Sequence, residues 1–270
     1  MSIRITLALI ATAAAVAACS ESPTTPSLSV PDVSALLAEM NPSSVTTAVD
    51  FAGAPVGGVF NRLAAADPSK CTYSASSGWF VCQPMTVNGL TFATRYRLID
   101  AAGNSQSKPD AQTSALETQT SLSGSLTGNA AGSTEPTSSY TINSSSDQTL
   151  SGIRSDKHTL NGTSLTTIKG TAQIGTTTLA IDDAVHETTT DLVLPNPKLG
   201  QKWPQSGTIT IESSSSNPGD PSLTSDSRAV ITFNGTSVVK MTLTSGPDTI
   251  TWCFDLTSPS PTPASCSQSG

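Results

Sequence analysis

Two histidines are the first residues that could do chemistry in this chain of 270 residues. His186 and Asp182 fall on one face of a predicted strand, and together with His158 they would offer a divalent cation mixed nitrogen and oxygen ligands. Acidic residues beside one histidine on a strand are more often a solvated surface. We therefore expect no metal and no other cofactor, with these three residues as the nearest candidates.

The residue types needed for hydrolysis are present but not arranged for it. Serine is abundant, yet the chain contains no G-x-S-x-G turn that would expose a nucleophile. Asp182 and Asp183 could be paired carboxylates, but adjacent residues of a strand point to opposite faces of the sheet. We expect a protein that is not an enzyme, and a metal-dependent hydrolase is the least favoured alternative.

Residues 1–18 have the pattern of an export signal. Arg4 supplies a positive charge, and residues 5–18 are apolar or small apart from two threonines. This run is too short to span about 30 Å of hydrocarbon and has the length of a secretory h-region. It ends in Val16-Ala17-Ala18-Cys19, which resembles the lipobox of bacterial lipoproteins. The resemblance covers this segment alone.

Membership of the lipoprotein class would imply cleavage before Cys19, a diacylglycerol on its sulfur and an acyl chain on its amine. In bacteria with two membranes, Ser20 after the lipidated cysteine would direct the protein to the outer membrane. Two or three acyl chains anchor a protein stably, since each buried CH₂ contributes roughly 0.8 kcal/mol. We expect a membrane-anchored protein of the cell envelope, with possible envelope protein partners.

The charge balance excludes one class of partner. Without the signal segment the chain has 12 basic and 20 acidic side chains, a formal charge of −8. An acidic chain without a basic cluster is a poor ligand for phosphate backbones. We therefore expect no nucleic-acid binding, and we expect membrane contact to come from the lipid alone.

Four cysteines remain once Cys19 is assigned to lipid, which is an even number in an oxidising compartment. Three pairings are possible. The local pairing of Cys71 with Cys82 and of Cys253 with Cys266 is favoured, because each bond closes a short loop worth about 2–3 kcal/mol.

The chain divides into four segments. Residues 1–18 are the signal, and residues 19–30 form a flexible tether rich in Pro, Ser and Thr. Residues 31–256 form a single β-rich domain, which begins with a helix over residues 31–40 whose apolar side chains recur at helical spacing. Residues 257–270 are a tail rich in Pro and Ser, which is predicted not to form a strand.

The strongest strand signal is a hairpin around Asn88-Gly89, a dipeptide that favours a type I′ turn. Pairing outward from this turn places four pairs on one face, where they would form a core: Val87 with Leu90, Met85 with Phe92, Val81 with Tyr96 and Trp79 with Leu98. Arg95 and Arg97 would take the opposite, solvated face, and Pro84 indicates an edge or a bulge.

Two further Asn-Gly dipeptides, at residues 161–162 and 234–235, predict two more hairpin turns. The three dipeptides lie 73 residues apart, which leaves an internal repeat open. Residues 104–120, 128–139 and 213–226 are predicted to be long loops. The fold class is all-β, an antiparallel meander of about a dozen strands that forms a barrel, half-barrel or sandwich, with one short N-terminal helix.

The function suggested by this pattern is a non-catalytic structural or protein-interaction module. The alternative is a carrier or chaperone that holds an apolar ligand inside a curved sheet, and an apolar interior pocket above about 300 Å³ would favour that alternative. Trp203 lies in a loop before a strand. It is predicted to plug one end of the core, and it is also the candidate for stacking on a ligand.

Overall fold

The computed structural model describes residues 30–40, 67–129, 136–174, 177–219, 224–257 and 262–266. The predicted signal segment, Cys19 and nearly all of the predicted tether lie outside these residues. The helix α1 spans Val30–Glu39, within one residue of its predicted start and end. Val33, Leu36, Leu37 and Met40 are buried on one side of this helix, as its periodicity predicts.

The described residues of the domain form one antiparallel sheet of fourteen strands, which confirms the all-β meander. The sheet is open, and β1 and β14 are its two edge strands. The strands are β1 Cys71–Ser74, β2 Trp79–Cys82, β3 Met85–Val87, β4 Leu90–Asp100, β5 Ser105–Gln106, β6 Thr113–Asn129, β7 Pro136–Ser151, β8 Thr159–Ile174, β9 Thr177–Val193, β10 Ser206–Ser216, β11 Ser225–Thr232, β12 Val238–Ser245, β13 Asp248–Asp255 and β14 Thr262–Ala264.

The sheet has an inner face, which packs against α1, and an outer face. Close to α1 the inner face carries a row of leucines that pair across β4, β6, β7, β8 and β9. Each of them is at most 2% exposed, and they belong to one cluster with the apolar side of the helix. Burying such side chains contributes about 1.5–3 kcal/mol each. The row consists of Leu98, Leu116, Leu150, Leu160 and Leu192.

Strands β6 to β9 are the longest of the sheet and continue past their neighbours, away from α1. We call this part of the sheet the far end and the part against α1 the helix end. A second, smaller cluster of Leu90, Phe92, Leu122 and Ile142 lies on the inner face towards the far end. Mostly polar residues separate the two clusters on the inner face of β6 to β9. One cross-strand row consists of Thr118, Gln148, Gly162 and Thr189, and the next of Thr120, Ser146, Ser164 and Glu187.

Both predicted disulfides are confirmed. Cys71 and Cys82 face each other across β1 and β2, and Cys253 of β13 is bonded to Cys266. The prediction that residues 257–270 contain no strand is wrong, because β14 pairs with the last three residues of β13. Pro263 is tolerated there because β14 is an edge strand, where a missing N–H leaves no ladder bond unmade.

The core hairpin is confirmed at its turn and shifted at its base. Val87 pairs with Leu90 and Met85 with Phe92, as predicted. At the base Tyr96 pairs with Phe80, because the segment containing Pro84 adds one residue to the first arm. The predicted pairs Val81–Tyr96 and Trp79–Leu98 are therefore wrong, and Val81 and Trp79 lie on the outer face.

The second predicted Asn-Gly turn is wrong, whereas the third dipeptide does lie in the connection between β11 and β12. Asn161 and Gly162 lie inside β8, opposite a bulge at Asp191. The Asn161 side chain accepts a hydrogen bond from the Asp191 N–H at 2.8 Å, and a Cβ on Gly162 would come within 2.5 Å of the Asp147 carbonyl oxygen. The three dipeptides therefore occupy non-equivalent positions.

The predicted loops are shorter than expected. Strand β6 begins at Thr113, inside the loop predicted over residues 104–120, and β10 continues to Ser216 inside the loop predicted over residues 213–226. Strands β6 and β7 likewise reach into the loop predicted over residues 128–139. Serine and threonine fill these strand ends, so hydrophobic content alone underestimated strand length.

Candidate functional site

The outer face carries a connected row of polar side chains across β2, β4, β6 and β7. Trp79 is 6% exposed and lies between two guanidinium groups, 4.6 Å from Arg95 and 4.8 Å from Arg97. Arg95 Nε donates to Gln119 Oε1 at 2.8 Å, and Gln119 Nε2 donates to Asp147 Oδ2 at 2.7 Å. Each residue therefore holds its neighbour in place. The hydrogen-bonded part of the row has the cation Arg95 at one end and the anion Asp147 at the other.

A groove of about 530 Å³ runs beside this row and crosses the strands. Ala93, Ser121 and Ser145 pair with one another across β4, β6 and β7 and form its floor. These side chains are short, whereas the side chains of the neighbouring polar row are long. The surface is therefore hollow along this line. Val81 and Leu165, which are 49% and 45% exposed, are the large exposed apolar side chains of its lining.

The hollow continues into a second groove of about 510 Å³, and His186 lines both. His186 Nδ1 lies 3.6 Å from Glu212 Oε2, and Arg228 Nε lies 3.3 Å from Glu212 Oε1. These three side chains are about half exposed, so the ion pair of Arg228 with Glu212 contributes little stability. Among the described residues, no serine hydroxyl bonds to His186, and the distance of 3.6 Å to Glu212 is too long for a hydrogen bond.

The structure separates the three nearest metal-ligand candidates. His158 bonds to Glu39 of the helix, His186 pairs with Glu212, and Asp182 forms an ion pair with Lys169 at 2.9 Å. In the described ranges no three His, Cys, Asp or Glu side chains are grouped as metal ligands would be.

Trp203 lies between β9 and β10, in the connection at the helix end. It is half-buried and packs against the main core cluster. This is the position of a side chain that plugs one end of the core, and Trp203 lies apart from the residues that line the groove.

Glu187 is the most unusual ionisable group on the inner face. It is 7% exposed and lies between Ser164 of β8 and Ile211 of β10. No described cation pairs with it, and burial raises its pKa to about 7. Thr118, Thr166 and Thr189 are also buried in this zone between the two apolar clusters.

His158 joins the helix to the sheet. Its Nδ1 lies 2.7 Å from Glu39 Oε1, and both side chains are less than a third exposed. The hydrogen bond to Glu39 raises the pKa of His158, against the opposing effect of burial. This contact fixes the end of α1 above the β7–β8 connection.

The groove residues Arg95, Gln119 and Asp147 were missed in the sequence. They come together through strand pairs separated by 24 and 28 residues, and Gln119 fell inside a predicted loop. The alternation of β4 does place Arg95 on the polar face, but no local pattern shows which residues stand opposite it.

Comparisons with protein-family models, with curated proteins and with solved structures found no match for this chain. Of the helices that the structure describes, none has the length and hydropathy needed to cross a membrane.

Proposed function

We propose that the chain is a lipid-anchored envelope protein that is not an enzyme and that binds an extended segment of another protein in the groove of its outer face. The observation that carries the binding role is the groove itself, with a built polar row along one side and exposed apolar residues in its lining. The anchor rests on the resemblance of Val16-Ala17-Ala18-Cys19 to a lipobox.

The chemistry of the groove suits a polypeptide. Serine hydroxyls on the floor can donate to and accept from backbone amides, and Val81 and Leu165 can pack against aliphatic side chains. Arg95 and Asp147 stand two strands apart, about 10 Å, and so favour a segment that carries both an acidic and a basic side chain. The preset Arg95–Gln119–Asp147 row lowers the entropy lost on binding.

The carrier alternative is less well supported. A carrier needs an apolar interior space, whereas at the helix end the inner face is filled by leucine and isoleucine side chains that are at most 2% exposed. The two grooves described above lie on the outer face, and most of the residues that line them are serine, threonine or charged.

The binding role can be tested with a photoreactive amino acid placed at Leu165 in the groove, in cells that produce the full chain. Leu199 provides the matched control, because it is also an exposed leucine at 57% and lies in the β9–β10 connection. We expect a discrete adduct of one mass from position 165 and none from position 199. Asp147→Lys should abolish that adduct. Equal labelling at both positions would refute the groove as a binding site.

The anchor is tested separately. Cys19→Ser should abolish incorporation of labelled palmitate and release the protein from the membrane fraction. Retention of Cys19→Ser in membranes after a high-salt wash without detergent would refute the lipid anchor, whatever the outcome of the crosslinking.

A further inference from the structure

The two edges of the sheet, at β1 and at β14, are protected against pairing with another chain to different degrees. At the first edge the strands are short: β2, β3 and β5 cover β4, and β1 has four residues. Pro84 directly precedes β3. Short strands and proline are common devices that prevent an edge from pairing with another chain. At the other edge β14, which is also short and contains Pro263, covers residues 253–255 of β13. Within the described ranges no strand pairs with residues 248–252 of β13 on that side.

The uncovered segment, residues 248–252, is accessible. Asp248, Thr249, Ile250 and Thr251 are exposed, and Ile250 is 59% exposed. This segment contains no lysine and no proline, the residues that usually protect an edge. In an antiparallel ladder every second residue directs its N–H and C=O away from the existing partner, so these groups are available to a further strand.

On the inner face, Ile250 ends an apolar row that crosses four strands. Ile211 pairs with Ala229, Ala229 with Leu243 and Leu243 with Ile250. The first two are 4% and 3% exposed, whereas Ile250 is exposed although it lies in the same row. A strand added to β13 would extend the row and bury this isoleucine.

On the outer face, β12 and β13 are joined by threonine hydroxyls. Thr242 bonds to Thr251 at 3.0 Å and Thr244 to Thr249 at 3.2 Å. An antiparallel second copy centred on Ile250 would place Thr249 opposite Thr251 of the other copy, and so repeat this pairing. The same register puts the two Ile250 side chains opposite each other and Asp248 opposite Trp252, so no like charges meet.

We propose that two copies of this chain associate by antiparallel pairing of residues 248–252 about a two-fold axis at Ile250, which joins their sheets edge to edge. Such an interface is isologous, because the same segment contributes from both copies. Its small size predicts a weak and reversible dimer. The lipid anchor, where present, would raise the local concentration of the chains, but the pairing does not depend on it.

The test uses the full chain with Cys19→Ser, purified without detergent, and sedimentation equilibrium from about 5 to about 500 µM, the range that resolves such affinities. We expect a monomer–dimer equilibrium. Ile250→Lys should weaken it at least about tenfold, because lysine on an edge opposes pairing. Leu199→Lys changes an equally exposed residue away from the edge and should leave the equilibrium unchanged. A monomer at every concentration would overturn the proposal.

A second variant tests the register of the proposed pairing between the two copies. With Cys19→Ser and the four other cysteines bonded in pairs, Ile250→Cys adds one free thiol at the proposed axis. Mild oxidation should join two Ile250→Cys chains at least about tenfold faster than two Leu199→Cys chains, because directly opposed residues have Cβ atoms about 5 Å apart. Equal rates would overturn the proposal. It would also be overturned if the chain stayed monomeric and residues 248–252 paired instead with a strand-forming peptide of a different sequence.

Discussion

The helix end and the far end of the sheet are built from the same strands but held in different ways. At the helix end β6 to β9 place leucines on the inner face, and α1 covers them. Farther along, the corresponding positions carry Thr120 and Ser146, which bond to each other at 2.7 Å, and Ser144 and Thr166, which bond at 2.8 Å. The small cluster begins beside the second of these pairs, because Leu122 stands opposite Ser144.

The difference shows that strand pairing and core packing are separable in this protein. Backbone ladders run along β6 to β9 through both ends, and cross-strand hydroxyl pairs contribute only about 0.2–1 kcal/mol each. Buried leucines contribute more, so the free energy of unfolding should be concentrated at the helix end. The far end is expected to open locally at lower cost.

Truncating matched leucines tests this comparison most directly. Leu150→Ala at the helix end should cost about 4 kcal/mol, and Leu122→Ala in the small cluster about 2 kcal/mol, because a sparsely packed site collapses more readily. Both are measured from the denaturant midpoint at unchanged slope. Equal losses would mean that the two ends are packed equally well.

Replacing Glu187 between the two clusters should stabilise the protein at alkaline pH. Its pKa in the folded state is about 7, above the ordinary value of 4.5. The folded state therefore favours the protonated form, and stability falls by about 3 kcal/mol as pH rises from 4.5 to above 7. Glu187→Gln should remove this loss and be most stabilising at pH 8, with little effect at pH 4.

Unfolding of Glu187→Gln is followed by urea titration at pH 4, 6 and 8. Glu212→Gln is the control, since Glu212 is half exposed on the outer face. A pH profile of Glu187→Gln that parallels that of the parent protein would show that Glu187 is not the group responsible.

The contact between His158 and Glu39 should give a smaller effect. Its stabilisation is also lost as pH rises, but here the substitution destabilises the protein, and it does so at low pH. Because this hydrogen bond raises the pKa of His158, its stabilisation is complete below the ordinary value of 6.5 and is lost as pH rises through the raised value. Glu39→Gln should cost about 1 kcal/mol at pH 5 and less at pH 9. Hydrogen exchange of α1 checks this when it is expressed as protection relative to the intrinsic rate at each pH. A loss of protection from parent to Glu39→Gln that is equal at pH 5 and pH 9 would contradict it.

The hydroxyl pair of Thr120 and Ser146 should show the smallest effect. A double-mutant cycle with Thr120→Val and Ser146→Ala should give a coupling of at most about 0.5 kcal/mol. A coupling above about 1.5 kcal/mol would mean that hydroxyl pairs stabilise the far end nearly as much as leucines stabilise the helix end.

Much of the fold could be predicted from local patterns. The helical spacing of Val33, Leu36, Leu37 and Met40 requires one buried side, and Asn88-Gly89 favours a tight hairpin turn, so both elements are where the sequence places them. The number and spacing of the cysteines likewise predicted both disulfides. These features depend on neighbours within about a dozen residues.

The remaining features depend on partners that are distant in the sequence. Asn161-Gly162 has the composition of a turn, yet it lies within a strand because Gly162 meets the Asp147 carbonyl oxygen and Asn161 holds the Asp191 bulge. One extra residue near Pro84 moves both Val81 and Trp79 from the predicted core face to the outer face, since side chains alternate with a period of two.

The sequence by itself determined an all-β chain, its helix, its best hairpin turn and its disulfides, because propensity, periodicity and short loop closure act locally. The tertiary structure decided which polar side chains meet. Arg95, Gln119 and Asp147 form a row through the register of three strands, and Ile250 is exposed because β14 ends before it. Register and edges are set by the whole sheet, since each strand takes its alignment from its neighbours.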